Sequence, residues 1–388
     1  MKAESQSNYY QKFPKRFFND AKALEISALK ILHSESSKGW GGQEIRTLKE
    51  MVALRECGHS VELLCPSDAR LGIRSTELGF AVHHARMRSG GDVRSMMRIK
   101  ALLQRRAYDV LNTHSGHDSL VAGTAARLAG TPLVVRTRHL ALPISSLATY
   151  TWIPHRVIAV SHFVRRYLIS AGVSEKRVET IHDGIATERA THSSLRDELQ
   201  LGPDATIACM VAIMRDEKGH EDLIDAVRPL FDTHPHLHIV MAGDGPAFER
   251  IEGIVTRLGL VSRIHLLGFR TDVPNILRGS DFFVLPTHQE ALGQAFIEAM
   301  AAGLPVIGTS VDGVPELIED DVNGLLVPPR NPPALRAAIA RMIDEPGLRE
   351  RLRTNGMRIT ERGFTIANMA YETALFYRRA LKERESRR

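Results

Sequence analysis

Two doubly wound, parallel-sheet α/β domains, Rossmann-like in kind, are predicted for this chain by three observations. Short apolar runs of strand length alternate with amphipathic stretches of helix length, and the whole alternation occurs twice in succession. The 388 residues exceed one small core and suit two domains of about 150–200 residues each. Hydrophobic residues make up 43% and charged residues 25%, enough apolar material for both cores in a water-soluble surface. Strands separated by helices of about 10–15 residues imply parallel sheets with right-handed crossovers.

In the first half, strands are expected at 29–33, 61–65, 109–113, 132–136, 156–160 and 177–181. Helical patterns fall between them at 43–56, 93–106, 119–129 and 162–171. The second half repeats the rhythm with strands at 206–213, 237–242, 263–267, 281–285, 305–308 and 324–327. The boundary is expected between Asp183 and Gly202, where His182-Asp183-Gly184 leads into a polar stretch. That divides the chain into domains 1–185 and 186–365. A C-terminal helix over about 366–388 is expected to pack back on the first domain and to fray into a charged tail from Lys382. Residues 1–25 read as an irregular extension.

No uncharged apolar run approaches the ~18 residues of a membrane span; the longest clean one covers 207–214. Lys2, Lys12, Lys15 and Arg16 have no apolar stretch behind them, so a secretory signal is not expected. Cys57, Cys65 and Cys209 form no CxxC pair, and the expected compartment is the reducing cytoplasm. Net charge is +11 through Ile185 and −5 beyond it. Nucleic acid, an anionic membrane face or a phosphorylated acceptor would each suit the basic half. Nucleic acid is not the expected partner, because aromatic and basic residues do not interleave and the second half is acidic. In helix 93–106, Met96, Met97, Leu102 and Leu103 can face a sheet while Arg94, Arg98, Arg105 and Arg106 face outward. A crossover helix and a helix lying on lipid share that pattern.

In open parallel sheets, ligands bind beyond the carboxyl ends of the strands. After strand 281–285 the chain reads His288-Gln289-Glu290-Ala291-Leu292-Gly293-Gln294-Ala295-Phe296-Ile297-Glu298-Ala299-Met300. A helix is expected over 293–302, with Glu290 in the loop ahead of it and Glu298 inside it. A small-residue loop entering a helix presents backbone N–H groups and favours phosphate. The two carboxylates can then accept from hydroxyls on either side of that phosphate. After strand 206–213 comes Arg215-Asp216-Glu217-Lys218-Gly219, whose cations could stabilise a departing diphosphate. A surface ion cluster has the same composition. Gly243 and Gly245 follow the next strand, where glycine permits close backbone approach or simply makes a strand-to-helix turn. His234, His236 and His238 alternate, but Pro235 disfavours regular strand and no further ligand completes a metal set.

With these residues in place, the chain resembles the retaining glycosyltransferases of family 4. Glu290 and Glu298 stand as the Glu-x7-Glu signature, within the run Glu298 to Val306. Asp312-Gly313-Val314-Pro315-Glu316 and Asn323-Gly324-Leu325-Leu326-Val327 follow. The resemblance extends from about Leu29 to Tyr377. It implies the GT-B fold, two facing Rossmann-like domains with an interdomain cleft, the second binding a nucleotide-sugar donor and the first an acceptor. It implies that Glu290 and the loop Ala291, Leu292, Gly293 and Gln294 contact donor sugar and phosphates, and that Glu298 holds the ribose. Arg215 and Lys218 would neutralise the diphosphate, Arg215 from a shifted position because Ile213 stands where arginine is commoner. Gly243, Gly245, Gly268 and Phe269 would lie near the nucleotide. Gly41 and Gly42 match a glycine-rich loop near phosphates and acceptor, His114 a histidine able to meet a sugar hydroxyl, and His139 a second acceptor-side residue. Glu-Ala-Leu-Gly at 290–293 departs from the commoner Glu-Gly-Phe-Gly.

The resemblance implies no metal or other cofactor. It implies a UDP-, GDP- or ADP-linked sugar donor and a carbohydrate or lipid-linked acceptor in polysaccharide, lipopolysaccharide or glycolipid synthesis. The basic first half adds the expectation of a peripheral site on the inner membrane face. A sugar-nucleotide epimerase of the same fold is the rival, distinguished by releasing an epimerised nucleotide sugar without an acceptor.

Overall fold

The computed structural model describes residues 27–88, 91–140, 142–185 and 190–386. The expected extension over 1–25 lies outside the described residues, as do 186–189 of the expected linker and 387–388 of the tail. The chain divides into two compact units, one reaching Gly184 and resuming at Thr365, the other Ile185–Phe364.

The first unit is built on seven parallel strands: β1 (Lys30–Ser34), β2 (Ser60–Cys65), β3 (Ala81–His84), β4 (Val110–Thr113), β5 (Leu133–Arg138), β6 (Arg156–Ala159) and β7 (Val178–Thr180). Their order across the sheet is β3-β2-β1-β4-β5-β6-β7. The central strands β4 and β5 are buried almost throughout, as helices on both faces require. β3 was not among the expected strands. Its Ala-Val-His-His is half exposed at the sheet edge, where no apolar run is needed. The helix expected from residue 119 starts earlier, as Gly116–Ala129, because Ser115 and Asp118 cap it and the Asp118 carboxylate accepts the Ser115 N–H at 2.9 Å.

Helix Val93–Arg106 buries Ile99 and Leu103 in a core with Val121, Ala122 and Ala125, as a crossover helix does. Met97, expected on the buried face, is 53% exposed; Ile99 takes that position. Helix Ile366–Glu385 joins the first unit, where Asn112 donates to the Tyr377 hydroxyl at 2.9 Å. It remains regular through Glu385, so the fraying expected from Lys382 is absent over the described residues. Gly184 leaves this unit beside Ile366: a Cβ there would stand 2.6 Å from the Ile366 Cα.

The second unit carries β8 (Thr206–Val211), β9 (Leu237–Ala242), β10 (Ile264–Gly268), β11 (Phe282–Leu285), β12 (Val306–Thr309) and β13 (Leu325–Val327). The order is β10-β9-β8-β11-β12-β13, all parallel. Phe283 meets Phe296 edge-on at 5.6 Å, fixing helix Gln294–Ala302 to the sheet. In both units the direction of strand addition reverses beside the first strand, between β1 and β4 and between β8 and β11. Such switch points open a crevice at the carboxyl edge. No helix among the described residues is long and apolar enough to cross a membrane.

Candidate functional site

At the switch point of the second unit, the loops after β8 and β11 are joined by their backbones. The chain leaves β8, makes a tight turn at Asp216–Lys218 and enters helix His220–Val227 through Gly219. The Glu217 carbonyl accepts the His288 N–H at 2.7 Å and the Thr287 hydroxyl at 3.0 Å. Gly219 holds φ +74°, and a Cβ on it would stand 2.0 Å from the Pro286 carbonyl oxygen. Backbone cannot yield there as a side-chain tip can. Gly219→Ala is expected to lower unfolding free energy by about 1–3 kcal/mol, read from urea denaturation. An unchanged midpoint would show that the two loops do not depend on this contact.

That joint places Lys218 against Glu290. The ammonium donates to the carboxylate at 2.6 Å, with each side chain 18% exposed. Glu290 is also held through its main chain: its N–H donates to Asp312 at 3.0 Å, and its carbonyl accepts the Gly313 N–H at 3.1 Å. Asp312 itself sits at φ +49°. No role had been expected for Asp312, although it lies in the 312–316 run that follows β12. Its place beyond a strand end was the available signal.

The loop continues through Ala291 and Leu292 to Gly293, which caps helix Gln294–Ala302 at φ +103°. Leu292 is buried in the core, so only its backbone faces the loop surface. Ala291 and Gln294 are half-buried, as is Glu298 in the helix's second turn. The first turn of any α-helix directs N–H groups outward along its axis.

Arg215 is exposed and its guanidinium lies 3.9 Å from Glu217, a looser contact than that of Lys218. Gly243 and Gly245 serve close packing: Cβ atoms there would stand 1.8 Å from the Ala212 carbonyl and 2.5 Å from the Met214 carbonyl. The Gly243 N–H reaches the Gly268 carbonyl at 2.9 Å, joining the loops after β9 and β10. Phe269 beside it is 67% exposed. A cavity of 620 Å³ between the loops after β8 and β11 is lined in part by Arg215, Glu217, His288, Gln289 and Asp312, while Lys218, Glu290 and Glu298 are not part of its wall. The alternating histidines do not converge: His234 faces Asp344 at 3.1 Å and His238 faces His265 at 3.1 Å.

At the switch point of the first unit, Gly41 caps helix Gly42–Glu56 and donates its N–H to Glu44 at 2.8 Å. Glu35, just past β1, is buried and accepts the Ser37 N–H at 2.8 Å. Burial raises its pKa, and burial together with the Glu35 charge pushes Asp118 up to about 8. Glu35 went unremarked in the sequence, although it too follows a strand.

His114 sits past β4 as expected, but its ring is enclosed. Its Nε2 is 2.9 Å from His33 Nδ1 and its Nδ1 is 3.0 Å from His139 Nε2. Both ring nitrogens are therefore occupied and the residue is 3% exposed, so the expected sugar-hydroxyl contact is not available to this ring as placed. A neutral imidazole donates from one nitrogen and accepts at the other, so the three rings must share one tautomeric direction. Burial and the Arg46 charge push His33 down to about 3 and hold His114 well below the ordinary value.

The unfolded chain then takes up protons first as pH falls. The His33 contribution is complete above its unfolded pKa of about 6.5 and is lost progressively toward 3, about 2 kcal/mol at pH 5. The thermal midpoint should drop between pH 7 and 5, and the drop should be shallower in His33→Asn. Equal slopes for the two proteins would contradict a buried neutral His33.

The profile described as Glycosyl transferases group 1 matches residues 192–358, and that of Glycosyltransferase Family 4 matches 40–189. The chain is 32% identical over 195 residues to the alpha-D-kanosaminyltransferase of Streptomyces kanamyceticus, covering 50% of each chain. It is 27% identical over 275 residues to the UDP-Gal:alpha-D-GlcNAc-diphosphoundecaprenol alpha-1,3-galactosyltransferase of Escherichia coli, covering 66% of this chain and 71% of that one. The first of these matches thus spans only half of the relative's length.

A glycosyltransferase from Rickettsia africae superposes with TM-score 0.82 at 21% identity, over 92% of this chain and 99% of that one. HepE of Anabaena, in complex with UDP and glucose, does so with TM-score 0.79 at 22% identity, over 90% and 99%. These likenesses establish the GT-B fold. With both units matched by the corresponding profiles, the chain belongs to the family 4 glycosyltransferases.

Proposed function

We propose that this protein is a retaining glycosyltransferase that moves a hexosyl group from a nucleoside-diphosphate sugar to a hydroxyl of a carbohydrate or lipid-linked acceptor. The observation that carries this reading is the Lys218–Glu290 contact across the β8/β11 switch point, immediately ahead of helix Gln294–Ala302. An ammonium has three N–H donors and Glu290 takes one, which leaves two for diphosphate oxygens. Arg215 adds an exposed cation, and the helix start at Gly293 adds backbone donors. These groups take the place a metal would otherwise have. Glu298 accepts from the ribose hydroxyls, and the exposed Phe269 ring offers the base a flat apolar face.

In the reaction, the bond between the anomeric carbon and the diphosphate oxygen breaks while the acceptor oxygen bonds to that carbon from the same face. The acceptor proton passes to the departing phosphate oxygen. UDP is the first donor class to test, since the Escherichia coli relative is named for UDP-Gal and the Anabaena neighbour is in complex with UDP. The lipid-linked acceptor named for that relative and the relatives in lipopolysaccharide core synthesis support a cell-surface glycoconjugate as the product. Such a product suits an enzyme at the inner membrane face.

Thermal-shift titration with UDP, GDP and ADP tests the donor assignment, because a ligand that binds the folded state raises the midpoint by mass action. One diphosphate should stabilise selectively. Glu298→Ala should weaken that ligand by about 1.5–3 kcal/mol, the worth of a charged hydrogen bond. An unchanged Kd would remove Glu298 from the site, and no stabilisation by any of the three would overturn the donor reading.

A further inference from the structure

The opposite, amino edge of the first unit's sheet holds a second concavity, with a volume of 630 Å³. Four chain segments meet there: the last turn of helix Gly116–Ala129, the approach to β6, the turn before β7, and the last turn of helix Ile366–Glu385. Strands of three to six residues at about 3.3 Å per residue put it roughly 10–20 Å from the edge bearing Gly41, Gly42 and His114. It is separate from everything assigned above.

Arg127, Arg156, Arg177 and Arg384 line it against one carboxylate, Glu383, which Arg156 engages. Main-chain carbonyls fix two of the guanidiniums: Arg384 donates to Pro132 at 2.7 Å, and Arg177 donates to Thr151 and, at 3.4 Å, to Pro154. Arg127 and Arg384 stand at helix C-termini, where the macrodipole favours cations and helps such a cluster exist without a ligand. His155 completes the wall as a neutral donor. Its Nδ1 accepts the Val134 N–H at 2.9 Å, so its proton resides on Nε2. Burial and the surrounding arginines push its pKa down to about 3. Beside these donors, the Trp152 indole is 81% exposed.

A wall of guanidinium and imidazole N–H groups matches phosphate oxygens, which guanidinium forks bind two at a time. Four cations against one carboxylate call for a ligand of more than one negative charge, and a phosphate monoester carries about −1.5 to −2. The volume lies in the range of small-molecule sites. An exposed indole beside them adds a flat apolar face with a polar edge.

We infer that this pocket is a second ligand site, binding a phosphate-bearing molecule with its phosphate on the arginines and its apolar or aromatic remainder against Trp152. The phosphate can come from a soluble metabolite or from a lipid headgroup, and the test separates them.

Trp152 is one of two tryptophans in the sequence, the other being Trp40, so the 388-residue chain carrying Trp40→Phe reports on this pocket alone. Its emission is followed during titration with inorganic pyrophosphate, with phosphatidic acid vesicles, whose headgroup is a phosphate monoester, and with phosphatidylcholine vesicles. A saturable change is expected with pyrophosphate, with phosphatidic acid or with both, and none with phosphatidylcholine. Arg127→Glu should weaken the response at least about tenfold. Because Arg127 is exposed, the thermal midpoint should hold; if it falls, Arg127→Gln serves for the comparison. Response to pyrophosphate assigns a soluble ligand, and response confined to phosphatidic acid assigns a headgroup. Silence toward both probes, or equal titrations of variant and parent, would overturn the proposal. UDP titration reads the second unit independently, so this inference can fail while the transferase reading stands.

Discussion

Lys218→Ala is expected to lower kcat/KM for donor cleavage by about 30- to 1,000-fold, equivalent to ~2–4 kcal/mol of transition-state stabilisation. The diphosphate gains charge as the sugar leaves, so an ammonium fixed beside it binds the transition state more strongly than the ground state. Lys218 is fixed by its bond to Glu290, and Glu290 by Asp312 and Gly313. Folding should survive the change, because Glu290 retains 18% exposure and can recover water in place of the ammonium. Arg215→Ala should cost less than about tenfold, since that guanidinium is exposed and loosely held, with much of its effect screened. The check is diphosphate release with the donor found by titration. A Lys218→Ala rate within about threefold of the parent would remove this lysine from the reaction.

The two sheets were legible because their central strands are buried on both faces and read as unbroken apolar runs, as at β8 and β11. β3 was not legible, since a half-exposed edge strand of Ala-Val-His-His carries no such run. Strand-end position singled out Lys218, Glu290 and His114 for phosphate and hydroxyl partners, and gave no sign of the protein side chains each would meet. Lys218 meets Glu290 only because β8 and β11 are neighbours in the sheet, a pairing of residues 72 positions apart. His33, His114 and His139 come from β1 and the ends of β4 and β5, three adjacent strands whose order is a tertiary fact. The strand-end rule therefore marked His114 as available for a ligand when its neighbours enclose it. Arg46 shows the same limit: it drew no expectation from the sequence, and its burial inside helix Gly42–Glu56 depends on what packs around that helix.

Arg46→Met is expected to destabilise the first unit by about 3–5 kcal/mol, the range for removing one partner from a buried ion pair. The Arg46 and Glu50 side chains are fully buried and Asp183 is 9% exposed. The guanidinium donates to Glu50 at 2.7 Å and to the Ile181 carbonyl at 3.4 Å, and forms an ion pair with Asp183. The Tyr377 hydroxyl of the returning helix stands near Glu50 and helps to hold its carboxyl down. Methionine fills much of the volume but leaves two carboxyl groups in a space that water does not reach. Burial already raises the Glu50 pKa, and the guanidinium opposes that rise. Without the guanidinium, both carboxyl groups would bind protons more tightly in the folded than in the unfolded state. For groups shifted in that direction, stability is complete below the unfolded pKa and is lost as pH rises through the folded one. The deficit relative to the parent should therefore be smaller near pH 5 and larger near pH 8, the reverse of the trend set by His33. Paired urea denaturations at the two pH values measure it. A deficit under about 1 kcal/mol at the higher pH would mean that Glu50 and Asp183 are not held as buried charges by Arg46.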